Sequence, residues 1–187
     1  MLKELIFKNR SYRRFFQEYE VTKPDLMDLV ELARLSPSAR NAQPLKYFLS
    51  FRQEVNCKIF PQLSWAGYLA DWPGPIEGER PSAYIVVLLD TGIADNCFCD
   101  EGIATQSILL GATEKGFGGC IIASVKREKL KKVLDLPEEY DILHVIALGK
   151  PKEVVQLEEM DRDDFKYWRD KNGVHHVPKR SINDMIV

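Results

Sequence analysis

Three arginines and a serine lie close together near the start of the chain, in residues 9–15, Asn9-Arg10-Ser11-Tyr12-Arg13-Arg14-Phe15. An arginine side chain stays protonated and offers a planar fork of donors, a geometry that suits the oxygens of a phosphate. A solvated charged turn has the same composition, since charged side chains are mostly exposed. The cluster therefore predicts either a surface turn or an anion site.

A second stretch, residues 36–44, favours the anion site. It consists of small and amide residues with two prolines, which predicts a loop that lines a ligand, Ser36-Pro37-Ser38-Ala39-Arg40-Asn41-Ala42-Gln43-Pro44. Together the two stretches resemble the FMN-dependent nitroreductase family, which begins Arg-Arg-Ser-x-Arg-x-Phe and continues, after a helix, with Ala-Pro-Ser-x-x-Asn-x-Gln-Pro. The resemblance continues to the end of the chain through Asp100-Glu101-Gly102, Gly116-Phe117-Gly118 and His176-Val177-Pro178-Lys179-Arg180.

The resemblance implies that FMN is the cofactor, and it assigns contacts to residues in four parts of the chain. The basic and hydroxyl residues around the phosphate, the ribityl chain and the pyrimidine edge are Arg10, Ser11, Arg13, Lys179 and Arg180. The backbone wall is Pro37 and Ser38, and the amide contacts are Asn41 and Gln43. Family members often carry arginine where this chain has Asn9, so the residue that makes the principal phosphate contact is left open.

Two further roles implied by the resemblance concern the flavin ring. Reduced flavin carries negative charge near N1 and O2, and Arg13 is the cation expected to stabilise it. The backbone of Ala123 and Ser124 is expected beside N5, although many relatives have Glu-Gly there. No side chain is expected to act as a catalytic acid or nucleophile, because the flavin supplies the redox chemistry.

The function implied is an oxidoreductase that takes hydride from NADH or NADPH and reduces a nitroaromatic, a quinone or a related small acceptor by a ping-pong mechanism. Relatives on the same scaffold dehalogenate iodotyrosine or break down flavin. A reductive dehalogenase, a flavin-degrading enzyme and a non-catalytic flavin-binding protein are therefore the alternatives. The physiological acceptor and the choice between NADH and NADPH are left open.

Composition excludes several other classes of protein. A net charge of −2 and a pI near 6.0 argue against nucleic-acid binding, and no run approaches the ~18 apolar residues of a membrane span. Cys57, Cys97, Cys99 and Cys120 lack metal-ligand spacing, as do His175 and His176, so we expect no metal site. We interpret the cysteines as reduced thiols of a cytoplasmic protein.

The elements that position these residues mix helices and strands within one domain, residues 1–187. Helices are predicted at residues 2–8, from a Thr22 cap to Ser36-Pro37, and at 54–65, 100–115 and 125–134, the last capped by Ser124. Strands are predicted at 46–51, 83–89, 120–123 and 143–148, with His144 as a core histidine. The first two strands are too close in the chain for βαβ units, which favours an α+β fold. The resemblance implies a nitroreductase-like, mostly antiparallel central sheet flanked by helices.

Two stretches bear on assembly. Helix 100–115 is apolar nearly all round, so every face should be buried, and a second copy of the chain is the expected cover. The resemblance implies an intertwined homodimer in which the Arg-Ser-x-Arg motif of one subunit meets the Pro-Ser-x-x-Asn loop of its partner. Residues 151–187 are predicted to be a C-terminal arm packing on this dimer, and Trp65, Tyr68 and Trp72 are predicted to flank the pocket entrance.

Overall fold

The computed structural model describes all of residues 1–187. Its helices are α1 Leu2–Lys8, α2 Lys23–Arg34, α3 Gln53–Ile59, α4 Asp100–Glu114 and α5 Arg127–Val133. Its strands are β1 Phe15–Phe16, β2 Leu45–Ser50, β3 Ala83–Asp90, β4 Gly118–Ile122, β5 Tyr140–Pro151, β6 Val155–Glu159, β7 Trp168–Arg169 and β8 His175–Lys179. None of the helices is long and apolar enough to cross a bilayer.

The central sheet has β3 and β5 in its middle, and all of its pairings are antiparallel. β2 pairs with β3, β3 with β5 and β5 with β4, while β1 joins the end of β5 through Phe15 and Pro151. Every residue of β3 except Asp90 is buried, because helices cover one face and a second apolar cluster covers the other. The predicted α+β class and antiparallel sheet are confirmed.

Local signals also place the helices that pack on the sheet. Thr22 caps α2: its Oγ1 accepts the Asp25 N–H at 3.3 Å, while the Asp25 carboxylate accepts the Thr22 N–H at 3.1 Å. α4 ends before Gly116, which has a φ of 76°. His144 is buried in β5 and shares a 2.9 Å hydrogen bond with Thr105 Oγ1, as expected for a core histidine.

Two predicted helices differ from the structure. The helix expected over 54–65 ends at Ile59 and continues only as a 3-10 turn over 60–62, since Pro61 has no N–H to extend the α-helix. The helix expected over 125–134 begins at Arg127, and Ser124 does not cap it. The Ser124 carbonyl instead accepts the Ser64 N–H, and Val125 forms an antiparallel bridge with Leu63, so this segment pairs with residues 63 and 64 and does not join the helix.

Residues 151–187 form an arm with regular structure of its own. β8 pairs in parallel with β6 and antiparallel with β7, giving a three-stranded sheet. Glu153, just before β6, accepts the N–H groups of residues 13 and 14, and His175 of β8 contacts Arg13. The apolar circumference of α4 is only partly covered in a single chain. Gly102, Ile103 and Gln106 are exposed along one side of α4, while Ala104, Ile108 and Ala112 are buried on the other.

Candidate functional site

Of the three arginines near the N-terminus, only Arg14 has a carboxylate partner for its guanidinium group. Arg14 Nε and Nη2 each donate a 2.6 Å hydrogen bond to the carboxylate of Glu79, and Lys152 Nζ lies 3.1 Å from Oε1 of the same group. Arg14, assisted by Lys152, lowers the pKa of the buried Glu79 carboxyl to about 2. Arg14 is therefore a structural residue that ties the cluster to the segment before β3.

Arg13 has no carboxylate on its guanidinium group. Its Nη1 donates to the Ser11 carbonyl at 3.2 Å and lies 3.3 Å from His175 Nε2. The Tyr167 ring packs against the guanidinium, with 4.9 Å between Cζ and the ring centroid. The Arg13 charge is therefore held by neutral groups and stays available to an anion.

Arg10 also lacks an anionic partner. Its Nη2 donates a 2.6 Å hydrogen bond to the Ile6 carbonyl, and its Nε is buried with no acceptor in the chain. Ser11, between Arg10 and Arg13 in sequence, is exposed and forms a bridge with Gly119 of β4. Two unbalanced guanidinium groups and an exposed hydroxyl fit the phosphate of FMN, which carries about two negative charges.

A cavity of about 210 Å³ connects Arg13 to the end of β4. Its walls are Arg13, residues 64–67 and residues 120–124, so Ala123 and Ser124 line the same cavity as Arg13. Both residues are exposed, and the Ser124 N–H has no acceptor within the chain, leaving a donor free for a ligand. Trp65 lines this cavity, whereas Tyr68 and Trp72 do not.

The amide-rich loop is fixed by Asp100, the first residue of α4. Ser38 Oγ donates a 2.6 Å hydrogen bond to Asp100 Oδ2, and the Ala39 N–H donates to Oδ1 at 2.8 Å. Ser38 Oγ in turn accepts the Gln43 N–H at 2.9 Å. Asn41 and Gln43 have φ values of 55° and 52°, a left-handed conformation that is costly for residues with a Cβ and is common at binding sites.

This loop lines a groove that is separate from the Arg13 cavity. The groove has a volume of about 650 Å³, and its walls include Pro37, Ser38, Gln43 and Tyr47. Sequence reasoning noted Asp100 only as the start of a helix and missed its role as the anchor of the loop. No local pattern marks this role, because Ser38 and Asp100 are 62 residues apart in the sequence.

Within one chain the two motifs lie at opposite ends of α4. Ser38 bonds the first residue of α4, while the Tyr12 N–H donates to the Gly119 carbonyl just beyond the last turn. α4 has 15 residues and spans about 22 Å at 1.5 Å per residue. A single chain therefore does not bring Asn41 and Gln43 to Arg13.

Lys179 and Arg180 also lie away from Arg13 in the single chain. Arg180 Nη1 is 3.3 Å from Asp163 Oδ1. Lys179 ends β8, about 13 Å along an extended strand from His175, the residue of that strand that reaches Arg13. Within the single chain, His175 of β8, and not Lys179 or Arg180, contacts the Arg13 guanidinium, so the role of Lys179 and Arg180 stays a prediction.

The arginine cluster is surrounded by a set of residues that the sequence does not predict to be part of the site. The Glu153 carboxylate, whose side chain is 0% exposed, accepts the backbone N–H of Arg13 and of Arg14 and a 3.0 Å bond from Arg169 Nη2. His175 is 1% exposed. The missed residues are Glu79, Glu153, Tyr167, Arg169 and His175, and no local pattern marks them, because their partners lie far away in the sequence.

An antiparallel sheet flanked by helices is also the fold of solved nitroreductase-family structures. One solved structure, an FMN-dependent nitroreductase from Clostridium difficile, is similar with a TM-score of 0.66, covering 90% of this chain and 98% of its own at 21% identity. Residues 6–65 and 84–150 match the sequence model of the Nitroreductase family. The chain belongs to the nitroreductase family.

Curated relatives extend this similarity. A protein of Archaeoglobus fulgidus with the provisional name NADH dehydrogenase/NAD(P)H nitroreductase is 27% identical over 166 residues, covering 84% of this chain and 90% of its own. The iodotyrosine deiodinase of Thermotoga neapolitana is 24% identical over 173 residues, covering 81% and 89%. Residues 66–83 and 151–187, which hold Glu79, Glu153 and His175, fall outside the family match.

Proposed function

We propose that this protein is an FMN-dependent oxidoreductase that takes hydride from NADH or NADPH and reduces a nitroaromatic, a quinone or a related small acceptor. The observation that carries the proposal is that Arg10 and Arg13 have no carboxylate partner, whereas the neighbouring Arg14 is paired with Glu79. Membership of the nitroreductase family and the NAD(P)H in the name of the Archaeoglobus fulgidus relative support the same function.

The residues divide into groups that hold, orient and enclose the cofactor. Arg10 and Ser11 hold the phosphate, Arg13 favours negative charge at the pyrimidine edge, and the Ser124 N–H is the donor for N5. Bound FMN would supply the redox chemistry, passing electrons from the nicotinamide to the acceptor. The wall, amide and remaining basic contacts in the proposal are Pro37, Ser38, Asn41, Gln43, Ala123, Lys179 and Arg180.

We infer that the working unit is a homodimer with composite sites. The Arg13 cavity, at about 210 Å³, is smaller than the roughly 300–1,000 Å³ typical of small-molecule sites. The loop of Asn41 and Gln43 lies at the other end of α4, so a partner's loop is the natural second wall. The exposed side of α4, with Gly102 and Ile103, offers small and apolar residues to that partner.

A reductive dehalogenase is the second candidate, favoured by the similarity to the iodotyrosine deiodinase of Thermotoga neapolitana. A flavin-degrading enzyme and a non-catalytic flavin-binding protein complete the alternatives. In each case the protein works in the cytoplasm, where NADH and NADPH are available and the four free thiols remain reduced.

The test is the visible spectrum of the purified protein, followed by anaerobic addition of NADH and then NADPH. We expect a yellow protein that releases FMN rather than FAD on denaturation and bleaches with at least one nucleotide. Subsequent addition of a nitroaromatic, a quinone or iodotyrosine should restore the colour and identify the class of acceptor. A colourless protein that takes up no FMN would overturn the proposal, and a yellow protein that neither nucleotide bleaches would favour the non-catalytic alternative.

A further inference from the structure

We propose that two residues of the C-terminal arm, Glu153 and His175, are positioning residues that fix where the Arg13 cation lies in the flavin site. The proposal rests on the function proposed above, because the place of Arg13 matters only if an anionic ligand binds beside it. It gives the arm, residues 151–187, a part in the site of its own chain.

Glu153 fixes the backbone of the arginine cluster. Its buried carboxylate accepts the N–H groups of Arg13 and Arg14 and the guanidinium of Arg169. A buried carboxylate is tolerated only where donors compensate it, and here the donors come from both ends of the chain. The carboxylate therefore ties the start of the chain to β7 of the arm and sets the point from which the Arg13 side chain extends.

His175 fixes the guanidinium itself. Arginine can only donate, so the 3.3 Å contact between Arg13 Nη1 and His175 Nε2 is a hydrogen bond only when Nε2 accepts. The ring proton then lies on Nδ1, which is buried without a partner in the chain. Burial, with Arg13 and Arg169 nearby, lowers the pKa of His175 to about 4, so the ring is neutral near pH 7 and Nε2 can accept.

Tyr167 completes the enclosure of the Arg13 guanidinium. Its ring packs against the group, and its hydroxyl accepts the Tyr68 N–H at 3.4 Å, so the ring is itself held in place. With Nη1 used by His175 and the Ser11 carbonyl, Arg13 Nε and Nη2 have no partner in the chain. The contacts from the arm thus leave Nε and Nη2 of Arg13 available to the cavity, which Arg13 lines.

These contacts belong to the part of the chain that the family match does not include. The match ends at residue 150, whereas Glu153, Tyr167, Arg169 and His175 all follow it. The arginine motif alone therefore does not determine the position of its own side chain in this protein. We infer that the arm tunes both the affinity for FMN and the reduction potential of the bound cofactor.

The first experiment compares His175→Phe, which keeps a ring but removes the acceptor, with His175→Gln, whose Oε1 can accept in place of Nε2. The readouts are the dissociation constant for FMN, from fluorescence titration of the apoprotein, and the reduction potential of bound FMN. We expect His175→Phe to weaken binding about tenfold and to lower the potential. His175→Gln should stay within about twofold of the wild type. Equal effects of the two changes on binding and potential would overturn the role of His175.

A double-mutant cycle separates positioning from general stability. In an Arg13→Ala background, His175→Phe should change FMN affinity less than about twofold, because there is no side chain left to position. Additive losses would show that His175 only supports the fold, which overturns the proposal. Thermal unfolding of each apoprotein, measured alongside, verifies that every variant is folded.

The second experiment tests Glu153 independently. It compares Glu153→Gln with Glu159→Gln, a matched control on the exposed surface of β6. We expect Glu153→Gln to weaken FMN binding about tenfold and Glu159→Gln to leave it unchanged. Identical affinities would overturn the role of Glu153. If the wild type itself binds no FMN, the proposed function fails and this inference fails with it. If the wild type binds FMN and all the variants bind alike, only the inference fails.

Discussion

Ser38 and Asp100 are joined by a 2.6 Å hydrogen bond that fixes the amide-rich loop to the first turn of α4. Asp100 also accepts the Ala39 N–H and is 4% exposed. We expect Asp100→Ala to lower the free energy of unfolding by about 2–3 kcal/mol, because two donors lose a buried acceptor. Ser38→Ala, which spares the Ala39 bond, should cost about 1 kcal/mol. Urea unfolding of the two apoproteins measures the difference, and equal losses would contradict this anchoring role.

Loss of either unbalanced arginine should release FMN. We expect Arg10→Ala and Arg13→Ala each to weaken FMN binding about tenfold or more, since each removes a charge-assisted bond to the ligand. Arg52→Ala is the matched control, because Arg52 is exposed and its side chain has no hydrogen-bond partner in the chain. Fluorescence titration of the apoproteins gives the three affinities. If all three agree, the arginines are ordinary surface charges.

Mixed dimers test whether each site is built from two chains. Arg13→Ala and Asn41→Ala homodimers each have both sites damaged. In a composite arrangement the mixed dimer has one doubly damaged site and one intact site, so co-expression restores about half of the FMN binding and turnover. Heterodimers isolated with two different affinity tags provide the sample. No recovery, with both single variants clearly impaired, would show that the motifs serve the flavin from the same chain.

Steady-state kinetics should show alternation of substrates. In the proposed mechanism the nicotinamide and the acceptor would use the same face of bound FMN in turn, so the first product would leave before the second substrate enters. We expect parallel lines in double-reciprocal plots over a range of both substrates. Lines that intersect, together with a ternary complex detected by equilibrium binding, would indicate a second pocket for the acceptor.

The ion pair of Arg14 and Glu79 should make stability sensitive to acid. The folded pKa of Glu79, about 2, lies below its ordinary value of 4.5, so the pair contributes fully above pH 4.5. The contribution is then lost as the pH falls from 4.5 to 2. We expect Glu79→Gln to cost roughly 2–3 kcal/mol at pH 7 and to flatten the fall in stability between pH 5 and 3. Denaturant unfolding at pH 7, 5 and 3 checks both effects, and parallel pH curves would exclude the assignment.

Local signals were sufficient for most of the fold. The Thr22 capping box and the unbroken apolar run of β3 report interactions within a few residues, so they are readable from sequence. The start of α5 was predicted too early, because Ser124 and Val125 pair with residues 63 and 64, which are distant in sequence. A capping signal in the sequence does not show that the same residue, here Ser124, pairs with a segment distant in the sequence.

The site was predictable only where it follows a motif. The spacing of Arg10, Ser11 and Arg13 predicts an anion site, the resemblance predicts that Ser124 contributes to it, and both stay predictions. Glu153 and His175 gave no signal, because a buried carboxylate and a buried histidine are recognised by partners 140 and 162 residues away. Such contacts depend on how the chain folds back on itself, which no short window of sequence contains.

The contact between Glu153 and the backbone of Arg13 also bears on the order in which parts of the chain can fold during synthesis. The sheet can pair its strands once residue 151 has left the ribosome, but Arg13 waits for Glu153, Tyr167 and His175. Nearly the whole chain must be synthesised before the arginine cluster has its final surroundings, and closing so long a loop is slow. The arginine cluster therefore reaches its final surroundings only after residue 175 has been synthesised, later than the strands of the central sheet.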